Sequence, residues 1–406
     1  MSDTATRHNS LLAAAEALQP ETIALRRAIH EEPELGLDTP KTLAKVKAAL
    51  AGLPLTLKEG SSCTGMIAVL DGAKPGRTVL LRGDMDALPM PEDAPIDFRS
   101  KVQGAMHACG HDAHTSMLVS AAKILCARRN DIAGRIVFMF QPGEEGHHGA
   151  KFMLDDGLLD DPKIDAAFAL HITPNLPVGV VTAKAGAMMA SADEFEVIVR
   201  GRGGHSSMPH LAVDPMPVAC EIVTALQAFV TRRIDAFDPC VVTVSTINGG
   251  TAQNVIGETV RMTGTLRAIS EQTRTKVHEG IRRVAENVAR AHECKAEVEI
   301  KPGFPVTIND ARGVALVEAA VKGELGEKAF MRAPAPVMGA EDFSYVLQRV
   351  PGAMSFIGVC PEGADFRLAC PCHSNKMELN EAAMAHGVAV HCATAELFLR
   401  DGLPAG

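Results

Sequence analysis

Residues 135–146 read RIVFMFQPGEEG. The run Arg135–Phe140 is almost wholly apolar, as a strand buried on both faces at the centre of a sheet must be. Proline and glycine then end it, and two adjacent glutamates follow at once. Upstream, Ala113–Arg129 is apolar at helical spacing, and Leu11–Ile29 reads as a helix ended near Pro33. Met66–Leu70, the link DGAKPG and Thr78–Arg82 read as a hairpin or strand pair. Downstream, a helix is predicted at Gly149–Asp155 and a strand at Ala166–Leu170. Strands that alternate with helices argue for an α/β layer structure.

After Gly186 the texture changes. Glu194–Arg200, EFEVIVR, alternates as a half-exposed strand does. A helix at Pro215–Arg232, strands at Val241–Ile247 and Val260–Ala268, a helix at Glu271–Ala291 and a strand at Lys295–Lys301 follow. Strand, helix, strand, strand, helix, strand is the ferredoxin-like order. The α/β texture resumes near Asn309. The pattern predicts a larger α/β domain over 1–189 and 302–406, interrupted by a small α+β domain over 190–301.

The net charge of −9 is spread along the chain, with no basic run to follow a phosphate backbone, so nucleic acid is excluded as a partner. No stretch has the length and apolarity of a bilayer span and the N-terminal stretch lacks a signal-peptide core, so a cytoplasmic protein away from membranes is expected. The ten scattered cysteines are then thiols, free to act as ligands. With no Trp and one Tyr, an apolar substrate pocket would be lined by Met, Leu, Val and Phe. Met188 and Met189 could line it, although core packing is the commoner use of Met.

Metal-type ligands concentrate in four places. MHACGHDAH offers Cys109, His111, Asp112 and His114 within a turn that opens a helix. FQPGEEG offers Glu144 and Glu145. LHITP places His171 at a strand end, and CPCHS carries His373. Open α/β sheets gather functional groups at strand exits, where Asp84, Glu144 and His171 fall. Each motif alone suits a solvated loop or a hydrogen-bonded histidine. Together they place acid, imidazole and thiol at neighbouring exits, where buried carboxylates are costly without a cation. Neighbouring glutamates diverge, so one can bind metal while the other serves as general base.

The ordered set RRAIHEEPELG (26–36), RGDMDALP (82–89), MHACGHDAHT (106–115), FQPGEEG (140–146), LHITPNLPVG (170–179), GRGGHSSMPH (201–210), NGGTAQNVI (248–256), GTLRA (264–268), GAEDF (339–343) and HS (373–374) spans nearly the whole chain. It resembles the metallo-amidohydrolase and metallopeptidase family of hippurate hydrolase, N-acyl-amino-acid deacetylases and indole-acetic-acid–amino-acid hydrolases. The resemblance implies a zinc-peptidase-like catalytic domain with an inserted dimerisation or lid domain. It implies a homodimer or dimer-based oligomer and two divalent ions per chain, of Zn, Mn, Co or Ni type. It implies that Cys109, His111, Glu145, His171 and His373 bind metal, that Glu144 is the general base, and that Asp84 and Asp86 orient ligands. His205 and Asn254 correspond to groups that reach an active site across a dimer, His205 as an oxyanion donor. Arg267 is a candidate for the substrate carboxylate or a strand-end surface residue. His30 is expected to be structural, His107 and His114 to be structural or to orient ligands, and His147 and His148 to be loop residues. Cys370 and Cys372 beside His373 could compete for soft metals.

The activity so implied is hydrolysis of the amide of a small N-acyl amino acid. A dipeptidase or carboxypeptidase of the same metal chemistry is the alternative. A Cys109 thiol hydrolase would not use the glutamate pair, His171 and His373, and a non-catalytic binding module would not need Glu144. A chelator separates the three: activity should vanish with chelation and return with added divalent ion. Activity indifferent to chelation would support the thiol enzyme.

Overall fold

The computed structural model describes residues 10–405, which form two compact units. The first holds the chain up to Met188, Ile308–Ala335, and the chain from Asp342 onward; the second holds Met189–Thr307 and Pro336–Glu341.

The first unit opens with α1 (Leu11–His30), α2 (Pro40–Leu50), β1 (Thr56–Glu59), β2 (Met66–Asp71), β3 (Lys74–Asp84), α3 (His111–Ala127), β4 (Ala133–Gln141), α4 (Gly149–Asp155), β5 (Ala166–Thr173) and β6 (Val181–Ala183). The second unit follows with β7 (Asp193–Arg200), α5 (Pro215–Arg233), β8 (Cys240–Gly249), β9 (Thr259–Ala268), α6 (Glu271–Ala291) and β10 (Lys295–Pro302). The chain returns to the first unit with α7 (Ala311–Leu325), β11 (Phe330–Arg332), β12 (Gly352–Gly358) and α8 (Ala383–Asp401).

The sheet of the first unit has the order β1-β2-β4-β3-β5-β12-β6-β11. Its centre, β4-β3-β5-β12, is parallel. Ile136–Gln141 of β4 are all buried, as the unbroken apolar run requires. Met117 and Leu118 of α3 share one core with Phe138, Phe168, Val388 and Phe398. The expected pairing of Met66–Leu70 with Thr78–Arg82 is not formed. β4 lies between them, antiparallel to β2 and parallel to β3. The DGAKPG link wraps the start of β4 instead of closing a tight turn: Gly72 N–H donates to Gly134 O at 2.9 Å. A strand that is apolar on both sides gains most from burial at the sheet centre, and β4 takes that place from the hairpin.

In the second unit the antiparallel order β8-β9-β7-β10, with α5 and α6, is ferredoxin-like. Phe195, Val197 and Val199 of β7 face inward and pack with Ile222, Leu226, Val277 and Ile281. The segment Pro336–Glu341 also belongs here, because Ala190 N–H bonds the carbonyls of Val337 and Gly339 at 3.0 Å each. That return is invisible in a linear reading of 190–301. No helix among the described residues is long and apolar enough to cross a membrane.

One buried charge cluster ties this unit together. Asp193 accepts from Arg274 Nε (2.9 Å) and Nη2 (2.6 Å), His278 Nε2 (3.0 Å) and Gly303 N (2.9 Å). Burial pushes the carboxyl up, but His278 and Arg274 outweigh it and hold it down at about 2. The depressed carboxyl therefore stabilises the fold above about pH 4, and that contribution fades as pH falls toward 2. Asp193→Ala leaves Arg274 largely buried with only the partly exposed Glu271 as counter-charge. It should cost roughly 3–5 kcal/mol in denaturant unfolding; a loss below about 1 kcal/mol, the level of an exposed pair, would show the cluster to be superficial.

Candidate metal centre

Because β3, β4 and β5 run parallel, their C-terminal ends share one edge of the sheet. β3 ends at Asp84, β4 at Gln141 just before Glu144 and Glu145, and β5 carries His171. α3 starts at His111 directly after Gly110, whose φ is +80°. A Cβ on Gly110 would lie 2.4 Å from Ile172 Cγ1, so only glycine lets the Cys109–His111 turn approach β5.

Asp86 organises the centre. Its Oδ1 accepts from the backbone N–H of Glu144 and its Oδ2 from that of Glu145, each at 3.0 Å. Its carbonyl accepts from His111 Nδ1 at 2.8 Å. One residue thus fixes both glutamates and the histidine that faces them. The glutamate loop is closed by Gly149, where a Cβ would sit 1.6 Å from Pro142 O. His148, at φ 59°, bonds Tyr345 through Nδ1 (2.9 Å).

The imidazoles are preset. His111 Nδ1 donates to Asp86 O and His171 Nδ1 donates to Ile172 O (2.6 Å), so in each ring Nε2 keeps its lone pair for the centre. His171 Nε2 stands 3.4 Å from Cys109 Sγ. His111 Nε2 and Glu145 Oε1 are buried and make no hydrogen bond. Burial lowers the pKa of His111, but Asp84, Asp86 and Glu145 outweigh it and hold it at about 10, so without a cation Nε2 takes up a proton that a bound ion would displace. Burial keeps His171 well below the usual range, and so unprotonated. The pocket is therefore negative and calls for a cation.

Cys109, His111 and His171 bring ligand atoms within 4.8 Å of one another, and so do Cys109, Glu145 and His373. The two groups share Cys109. Thiolate, imidazole and carboxylate suit borderline divalent ions, and the orphaned His111 and Glu145 atoms belong to these groups. The donor set therefore fits two ions. Asp84, His111 and His114 also lie together, but His114 is saturated: Nδ1 pairs with Asp84 Oδ1 (2.6 Å) and Nε2 accepts Ile172 N–H (2.8 Å). Asp84 further pairs with Arg82. Cys109 is a poor nucleophile here. Its hydrogen bond with Cys372, then burial, raise the thiol well above its usual range and outweigh any help from the helix N-terminus.

The model of peptidase family M20/M25/M40 matches residues 80–397. The chain belongs to this family. It is 37% identical over 383 residues to IAA-amino acid hydrolase ILR1-like 2 of Arabidopsis thaliana, covering 93% of this chain and 85% of the relative. It is 36% identical over 382 residues to thermostable carboxypeptidase 2 of Saccharolobus solfataricus, covering 93% and 95%. The crystal structure of the Bacillus subtilis YXEP protein, described as a dinuclear metal binding peptidase from the M20 family, superposes with a TM-score of 0.83 at 31% identity, covering 95% of this chain and 99% of that one. The protein is a metal-dependent amidohydrolase of the M20 family.

Within this M20 enzyme the first unit gathers Cys109, His111, Glu144, Glu145, His171, His373, Asp84 and Asp86. His205, Asn254 and Arg267 belong to the second unit. The exposed His205 ring is held through Nδ1 by Ser207 Oγ (2.8 Å) and Ser207 N (3.1 Å), and its backbone pairs with Val255. Exposed Asn254 accepts Ser206 N–H through its carbonyl (3.1 Å). Arg267 on β9 is half-buried and donates to Leu266 O (3.0 Å). Sequence reasoning missed the brace behind the glutamates. Asp342 accepts from Gln141 Nε2 (2.7 Å) and Ala150 N (2.9 Å) and pairs with Arg82 (3.3 Å); GAEDF was the one signal for it. His30 and Arg26 hold Asp112 at 2.8 and 3.0 Å, which docks α1 on the first turn of α3.

Glu144→Gln keeps the Asp86 bond, since that bond uses the backbone. It should lower kcat by about 10²–10⁴, the range for a lost general base, with metal content unchanged. Loss of metal from this variant would make Glu144 a ligand instead.

Proposed function

We propose that the enzyme hydrolyses the amide of N-acyl amino acids. The observation that carries this is the glutamate pair: both backbones are gripped by Asp86, and Glu145 turns Oε1 toward His373 (3.3 Å) while Glu144 remains beside it for a second role. Cys109, His111, Glu145, His171 and His373 would hold two divalent ions, of zinc, manganese, cobalt or nickel type. Bound there, the pair supplies Lewis acidity and lowers the pKa of a water. Glu144 would take the proton of the attacking water as the water adds to the acyl carbon. Glu144 then gives the proton to the leaving amino nitrogen, so one carboxylate is base and acid in turn. Asp84 and Asp86 hold the ligands in orientation.

Support for an N-acyl amino acid comes from the Arabidopsis relative, whose name describes hydrolysis of an amino-acid conjugate. The Saccharolobus relative, a carboxypeptidase by name, keeps peptide hydrolysis as the second reading. We infer further that the enzyme is a cytoplasmic homodimer. His205 of a partner subunit would donate to the oxyanion, Asn254 would assist, and Arg267 would bind the substrate carboxylate through its guanidinium fork.

A panel of N-acetyl, N-benzoyl and dipeptide substrates, assayed with each metal, tests the substrate class. N-acyl amino acids should give the higher kcat/KM; a dipeptide preference would establish the second reading. His205→Ala should lower kcat by about 10²–10³ with metals retained. Mixing it with Glu144→Gln should restore activity through heterodimers. Subunit exchange without recovery would place each site within one chain.

A further inference from the structure

His373 stands apart from the other residues proposed to bind metal. Cys109, His111, His171 and Glu145 are buried or nearly so, whereas the His373 side chain is 55% exposed. It ends the loop that leaves β12 and spans residues 359–373. Its φ is 69°, a region that a bulky residue seldom adopts, so the turn needs support from outside. Apolar packing gives that loop little hold. Residues 362–365, Arg367 and Leu368 are exposed, Leu368 at 84%.

Hydrogen bonds hold it instead. At the start Val359 N–H donates to Thr173 O, and at the end His373 N–H donates to Ala108 O, each at 2.9 Å. Between them residues 365–369 form a turn. Leu368 N–H and Ala369 N–H donate to Asp365 O (2.9 and 3.0 Å), and Arg367 N–H donates to Asp365 Oδ1 (3.0 Å). One side chain takes two carbonyls of this turn: Asn175 Nδ2 donates to Phe366 O (3.1 Å) and Ala369 O (3.0 Å). Both partners are acceptors, so only the amide NH2 can serve them. Asn175 lies just past the end of β5, and its own N–H donates to Thr173 Oγ1 at 3.3 Å. The amide thus ties the His373 loop to the strand that carries His171.

We propose that Asn175 is a positioning residue for the metal centre: its two donated bonds preset the loop so that His373 meets Cys109 and Glu145. The inference rests on the metal-centre reading given above. A ligand on an unheld loop must be ordered at the moment an ion binds, and that ordering is subtracted from affinity. The clamp places the ordering in the folding step instead. The Cys109–His111–His171 position does not use His373, so only the Cys109–Glu145–His373 position depends on the clamp.

The test measures zinc occupancy against free zinc set by a chelator buffer. It compares the native chain with Asn175→Ala, Asn175→Asp, His373→Ala and the Asn175→Ala/His373→Ala double variant. Asn175→Asp keeps the size and shape of the side chain and removes the donors. In both Asn175 variants the affinity for one ion should fall roughly 10- to 100-fold, the usual loss for a partner that orients a ligand, while that for the other stays within about twofold. The double variant should hold its remaining ion as tightly as His373→Ala does, because a residue that acts through His373 has nothing to add once that imidazole is gone. Two ions bound with native affinity in both Asn175 variants would overturn the inference. An equal loss of both ions would overturn it too, as would a weaker remaining ion in the double variant than in His373→Ala, since Asn175 would then act on the fold at large. A native chain that binds fewer than two zinc ions would instead refute the two-ion reading itself.

Discussion

Carboxylates crowded at the ends of adjacent parallel strands impose the constraint on which this structure depends. Asp84, Asp86 and Glu144 are buried and Glu145 nearly so. Bringing such charge out of water is tolerable only if cations and donors are supplied in fixed places. Arg82 and His114 answer Asp84, backbone amides answer Asp86, and His111 and His373 answer Glu145. What these groups leave unanswered are the donor atoms around Cys109, and there the geometry suits divalent ions.

The same constraint explains how the centre stays rigid. Asp342 braces Gln141 and the start of α4, so the loop with both glutamates is held from behind as well as from Asp86. His114 ties β3 to β5 through Asp84 and Ile172, and Asp112 ties α3 to α1. Several charged groups that look catalytic in isolation thus act as struts. His114 has both ring nitrogens occupied, whereas His111 Nε2 and Glu145 Oε1 are buried and make no hydrogen bond.

Much of the fold was legible because its signals are local. The two-sided apolar run at Arg135–Phe140 could only be central, and the alternation in Glu194–Arg200 gave the half-exposed β7. The strand order was not local. Met66–Leu70 and Thr78–Arg82 are near in sequence, yet β4 separates them, because burial of β4 outweighs the short link. Pro336–Glu341 carries no mark of its membership in the second unit, since two backbone bonds to Ala190 decide it.

The sequence by itself determined the chemistry: thiol, imidazole and carboxylate at strand exits, glycines where the turns must close, and an ordered motif set that identifies the family. Those are properties of residue type and spacing. The tertiary structure alone decided which donor atoms are left facing the pocket and which side chains are struts. That choice depends on the second nitrogen of each ring and on the Asp86 grip. Hydrogen-bond saturation is a relation between residues far apart in the chain, and no local pattern encodes it.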